Sequence, residues 1–215
     1  MPALEDADRL SRVAPRGPRV SPLVRRGALA LLVGGPLSLV FHVLWKIGHG
    51  PTVVNEHGVV LGLTNDQWSY LSVVWTAPVA IGVVAACSLH RGRLRSAAVV
   101  LTVLGLALST VAAFVWELYS IGGLVLNAGV LCMSIMILRG RVLPSWSAWL
   151  LLLALVAFIP LAVVNDAVLS LSTNALPFRV QGEDVIVFLG ALGWTGLGVV
   201  LLRTSRRMPS VPDNR

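Results

Sequence analysis

Residues 139–166 read RGRVLPSWSAWLLLLALVAFIPLAVVND: two arginines, an uncharged apolar run, then an asparagine and an aspartate. A helix needs ~20 apolar residues to cross the ~30 Å hydrocarbon core of a bilayer. Residues 142–165 carry no charge, so this stretch is long enough. Its basic entry and acidic exit also give it a direction, because Arg and Lys accumulate on the cytoplasmic side of membrane helices.

The same pattern recurs along the chain. Apolar segments run from Gly27 to Ile47, Trp68 to Leu89, Ser96 to Tyr119, Ile121 to Leu138, Trp146 to Leu169 and Val185 to Leu202. The fourth is the shortest. Arginines lie before the first segment (Arg9, Arg12, Arg16, Arg19, Arg25, Arg26) and between the second and third (Arg91, Arg93, Arg95). They recur between the fourth and fifth (Arg139, Arg141) and after the sixth (Arg203, Arg206, Arg207, Arg215). A six-span path puts all fifteen on one side and leaves only Lys46 and Arg179 on the other. Five or seven spans would scatter them.

The expected fold is therefore all-α: a polytopic integral membrane protein with six transmembrane helices in the cell membrane and both termini cytoplasmic. Residues 1–26 read as a disordered basic cytoplasmic segment, 27–203 as the transmembrane domain and 204–215 as a cytoplasmic tail. The apolar stretch after residue 26 is too long for a cleaved signal core and lacks a small-residue cleavage pattern.

Composition agrees. The chain is 56% hydrophobic and 13% charged, about half the charge of a soluble domain. A soluble fold of this size could not bury so many apolar residues, so lipid covers the excess. The net charge of +7 comes from clusters between apolar runs, not from a basic stripe on a polar fold, which excludes a nucleic-acid partner. Cys87 and Cys132 sit in apolar segments and form no CxxC pair. The abundance of Ala, Val, Gly, Leu and Arg suggests a bacterial inner-membrane protein.

Polar residues at membrane depth are costly and mark function. His42, Glu117, Asn127, Asn165 and Asp166 all map to the outer half of the expected bilayer, whereas the inner half offers only Ser, Thr and Cys. His42 suits proton transfer or metal ligation, or it is a core histidine satisfied by a nearby backbone or hydroxyl group. Trp45 and His49 share its helix face. Glu117 ends the third span. There it is a partly desolvated general acid, or a boundary residue in an aromatic belt with Trp116 and Tyr119. Asn127 could orient it. Asn165 and Asp166 close the fifth span just past Pro160. Glu183 and Asp184 open the sixth, where a helix N-terminus favours acids without any functional role. Trp75 and Trp194 lie deep, where indoles line an apolar pocket or simply pack. The sequence carries no HExxH, P-loop, DDxxD or mid-span lysine, and no metal or other cofactor is expected.

The stretch Trp116-Glu117-Leu118-Tyr119 resembles the Trp-Glu-apolar-aromatic element of small membrane-integral terpene cyclases, which close meroterpenoid and indole terpenoid rings. The resemblance covers four residues. It implies a metal-free enzyme whose membrane-embedded carboxylic acids protonate a polyprenyl epoxide or alkene. Glu117 carries over directly. Asp166 or Asp184 would stand for the family's late-span acid, at a spacing that departs from its pattern. The expected function is thus an isomerase-type membrane enzyme acting on a lipid-soluble substrate, with Glu117, Asp166 and Asp184 catalytic. His42, Trp75, Trp116, Tyr119, Asn127, Asn165 and Trp194 would form its pocket. A proton or solute carrier and a non-catalytic membrane partner or immunity protein are the alternatives. Oligomeric state stays open.

Overall fold

The computed structural model describes residues 22–49, 59–60, 63–64, 67, 70–111, 117–163 and 182–207. Among these are six α-helices: α1 (Pro22–His49), α2 (Val73–Ser88), α3 (Arg93–Val111), α4 (Glu117–Gly140), α5 (Ser145–Val163) and α6 (Gly182–Arg207). A two-residue hairpin between α1 and α2, β1 (Val59–Val60) and β2 (Leu63–Thr64), was not anticipated. It pairs Val59 with Thr64 and Val60 with Leu63.

Helices α1, α3, α4 and α6 are long and apolar enough to cross a membrane, while α2 and the first turns of α5 are shorter apolar helices. Such helices make this a membrane protein. Two expected boundaries shift. The fourth apolar segment looked shortest, yet α4 has 24 residues and α2, with 16, is the shortest. Glu117 does not close the third helix but is the first residue of α4, and Tyr119 lies in the same turn. Apolarity runs continuously through this corner, so composition did not mark where one helix stops.

The helices form a closed ring in chain order. Each packs on the next, and α6 returns to pack on α1 and also touches α2. Consecutive helices and the α1–α6 pair run antiparallel, and their closest contacts use small residues, as membrane helix packing requires. Between α1 and α2, Gly27 faces Ala85 and Gly82 faces Leu31. Between α1 and α6, Gly35 faces Thr195 and Ala191, and Gly198 faces Ala28 and Leu31. Between α3 and α4 the approach is closest: a methyl group on Gly105 would overlap the backbone of Leu126. Leu31, Met133, Ile137, Leu151, Leu197 and Leu201 fill the core. Most of its hydroxyls bond back to their own helices, as Ser38 does to the Gly35 carbonyl at 2.6 Å and Ser134 to Val130 at 2.8 Å, while Thr110 also reaches Thr76 on α2 and Thr102 Oγ1 has no partner among the described residues.

Antiparallel packing brings the start of α1, the α2–α3 and α4–α5 turns and the end of α6 to one end of the bundle. Arg25, Arg26, Arg91, Arg93, Arg95, Arg139, Arg141, Arg203 and Arg206 all sit there. The α2–α3 turn passes through Gly92 at φ 105°, a backbone conformation that suits glycine. His90, only 5% exposed, packs against Gly140 at the end of α4. Its Nδ1–H donates to the Ala86 carbonyl at 3.3 Å, and Nε2 has no partner among the described residues.

Gly105→Leu should destabilise the protein by about 1–3 kcal/mol or more through overpacking. Gly123→Ala should be neutral, because no described atom lies within 4 Å of a Cβ there. Thermal unfolding in detergent separates the two. Burial lowers the pKa of His90 below its usual 6.5, partly offset by the Ala86 bond. Its unfolded form therefore takes up a proton first as pH falls, so stability is full above pH ~6.5 and declines below it. His90→Gln should flatten the fall in melting temperature between pH 7 and pH 5.

Candidate functional site

The end of the bundle opposite the arginines holds the polar residues. His42 stands on α1 sixteen residues after Arg26, about 24 Å along the helix. Asp184 is the third residue of α6, where the dipole and free amides favour a carboxylate. The glycine contacts of Gly35 and Gly198 set the register of these two helices, and that register brings His42 Nε2 to 2.5 Å from Asp184 Oδ1. Both side chains are 18% exposed. The partner of His42 is thus neither the backbone nor the hydroxyl that the sequence suggested, but a carboxylate 142 positions away. The Trp45 ring stacks beside the imidazole, with centroids 6.4 Å apart and planes inclined by 22°.

This arrangement supports proton transfer. A carboxylate that accepts the Nε2–H fixes the ring's tautomer and orientation. Nδ1, which has no hydrogen bond among the described residues, then carries a lone pair in the neutral ring and a proton in the charged one. Either form can exchange a proton with a substrate.

Two glycines on inward helix faces lack close neighbours among the described residues. On α6, Gly190 continues the inward face defined by Trp194, Leu197 and Leu201. On α4, Gly123 continues the face defined by Val130, Ser134 and Ile137. Yet no described atom lies within 4 Å of a Cβ built on either glycine. Both are one to three turns from the polar end of their helices. Helical phase turns Asn127, half-buried and one turn from Gly123, toward the same region. Trp194, 7% exposed, packs one turn further toward the arginine end. Trp75 lies at the level of Ser38 and packs on the core from α2.

The expected residues therefore divide. His42 and Asp184 come into direct contact, Asn127 stands half-buried one turn from Gly123 on α4, and Trp75 and Trp194 pack on the core from α2 and α6. Glu117 and Tyr119 are placed by their backbone in the first turn of α4, at the same end. Trp116, Asn165 and Asp166 lie outside the described residues. Sequence reasoning missed the pairing of His42 with Asp184. Gly122, next to Gly123, packs against Ser109 and Leu108.

A double-mutant cycle of His42→Gln and Asp184→Asn should give a coupling of about 1–3 kcal/mol in thermal unfolding, against near zero for unlinked positions. No known family, characterised protein or solved structure matches this chain, so its function has to be argued from this geometry.

Proposed function

We propose that the chain crosses the bacterial cell membrane six times with both termini in the cytoplasm. In this reading it is an enzyme that moves a proton on a lipid-soluble substrate near the outer leaflet. The observation that carries the reading is the half-buried His42–Asp184 pair, with Nδ1 of the imidazole unengaged among the described residues. The orientation rests on the gathering of all described arginines at the opposite end. Between the two ends the core is mainly Leu, Val, Ala and Met with few hydroxyls and no charged residue among the described ones, which favours a site reached from one side over a solute path.

The sharper form is a metal-free cyclisation. A polyprenyl epoxide or alkene enters sideways from the bilayer beside Gly123 and Gly190. Glu117, at the same end, delivers a proton as a carboxylic acid, and the carbocation propagates through the chain as the rings close. Trp194 and Trp75 are the indoles that would stabilise positive charge through their π faces. His42 Nδ1 removes the final proton while Asp184 holds the ring and offsets its new charge. One proton is added and one removed, so the product is an isomer of the substrate.

The test compares lipid-soluble metabolites of the native host with and without the gene. The deletion strain is complemented by wild type, Glu117→Gln or His42→Gln, with membrane levels of each protein matched. The deletion should accumulate a linear prenylated compound and lose a cyclic isomer of equal mass. Each variant should restore less than ~1% of the isomer, the scale of lost acid–base catalysis. An unchanged profile on deletion, or full rescue by both variants, overturns the reading.

A further inference from the structure

The arginine end of the bundle carries a second feature, independent of the proton-transfer site. Gly140, at the end of α4, packs on the ring of His90. A Cβ there would lie 2.6 Å from Cδ2 and 2.9 Å from Nε2. This contact joins the α2–α3 turn to the α4–α5 turn. Arg91 follows His90 directly, with Arg93 and Arg95 in the next turn of chain, and Arg139 and Arg141 flank Gly140. The two joined turns thus carry five exposed arginines within five residues of the His90–Gly140 contact.

All five arginines are exposed, and none is paired with a carboxylate among the described residues. The three acidic residues described, Glu117, Glu183 and Asp184, lie at the other end. Gly92 at φ 105° and Arg141 at φ 49° hold the two turns in fixed, tight conformations. Guanidinium groups without carboxylate partners are suited to phosphate, which they bind bidentately.

The surface next to this cluster is apolar. Just past Arg141, at the start of α5, Trp146 is 42% exposed and Trp149 62% exposed, and Leu153 and Val156 continue the exposed face of Trp149. A free phosphate uses only the arginines. A phospholipid uses both parts, with its headgroup on the guanidinium groups and its acyl chains along the Trp149–Leu153–Val156 face. Indoles at a helix end suit the level of the headgroup boundary.

We infer that the paired α2–α3 and α4–α5 turns form a binding site for an anionic phospholipid, and that a two-phosphate headgroup fits it best. The occupant belongs to the leaflet at the arginine end. The inference depends on the membrane placement of the bundle but not on any catalytic role for His42 or Asp184.

The experiment measures thermal unfolding of the full chain in detergent, titrated with cardiolipin, phosphatidylglycerol, phosphatidylcholine or soluble glycerol phosphate. Two double variants remove equal charge from the same end: Arg139→Gln/Arg141→Gln at the proposed site and Arg203→Gln/Arg206→Gln at the end of α6. Cardiolipin should raise the melting temperature of the wild type at the lowest concentration and phosphatidylcholine should not. The first double variant should weaken cardiolipin binding about 25-fold, near fivefold per arginine, and the second less than about threefold. Equal loss in both variants would mean a diffuse field, not a site. Equal stabilisation by glycerol phosphate would make the ligand a free phosphate, and no stabilisation by cardiolipin would remove the site. Each of these three results overturns the inference.

Discussion

The close antiparallel contact between α1 and α6 organises the molecule. Gly35 lies against Ala191 and Thr195, and Gly198 against Ala28 and Leu31, so the two backbones approach where larger side chains would hold them apart. In an apolar solvent, helices gain little from burying more apolar surface and associate through close packing. This contact closes the ring by joining its first helix to its last. It also sets a register in which His42 meets Asp184. A slip of one helical turn, ~5.4 Å, would part the pair and leave two polar groups unmatched near the membrane core.

The α3–α4 pair repeats the device, with Gly105, Gly122 and Gly129 each against the facing helix. Thr102, fully buried, lies over Gly129 in the tightest part of that interface. Two glycine-packed pairs thus frame the bundle, and α2 and α5 fill it in. Gly123 and Gly190, on the inward faces of α4 and α6, have no described atom within 4 Å of a Cβ. Most of the other glycines let backbones touch.

Charge separates the ends of the bundle. Every described arginine lies at one end and every described acid at the other. That division follows from the alternation of basic and acidic turns along the chain together with antiparallel packing. It keeps the arginines together at one end, where water and counterions screen them, and gathers the described carboxylates at the other.

Apolar run length and the positions of arginines were enough to predict an all-helical membrane protein and to locate its six helices within a few residues. Hydrocarbon thickness sets helix length, and charge is excluded from the core, so these properties are written locally. The α3–α4 corner was misplaced because apolar composition runs through it without a break, and Glu117 changed helix as a result. The candidate site was legible as residue types, since polar groups at membrane depth stand out one at a time. Which of them meet was not legible, because His42 and Asp184 lie 142 positions apart and each has a bland local explanation. Only the α1–α6 register, set by packing between helices that are distant in sequence, brought them together. The same holds for the joined arginine turns, whose proximity depends on the contact of Gly140 with His90 and on no local pattern.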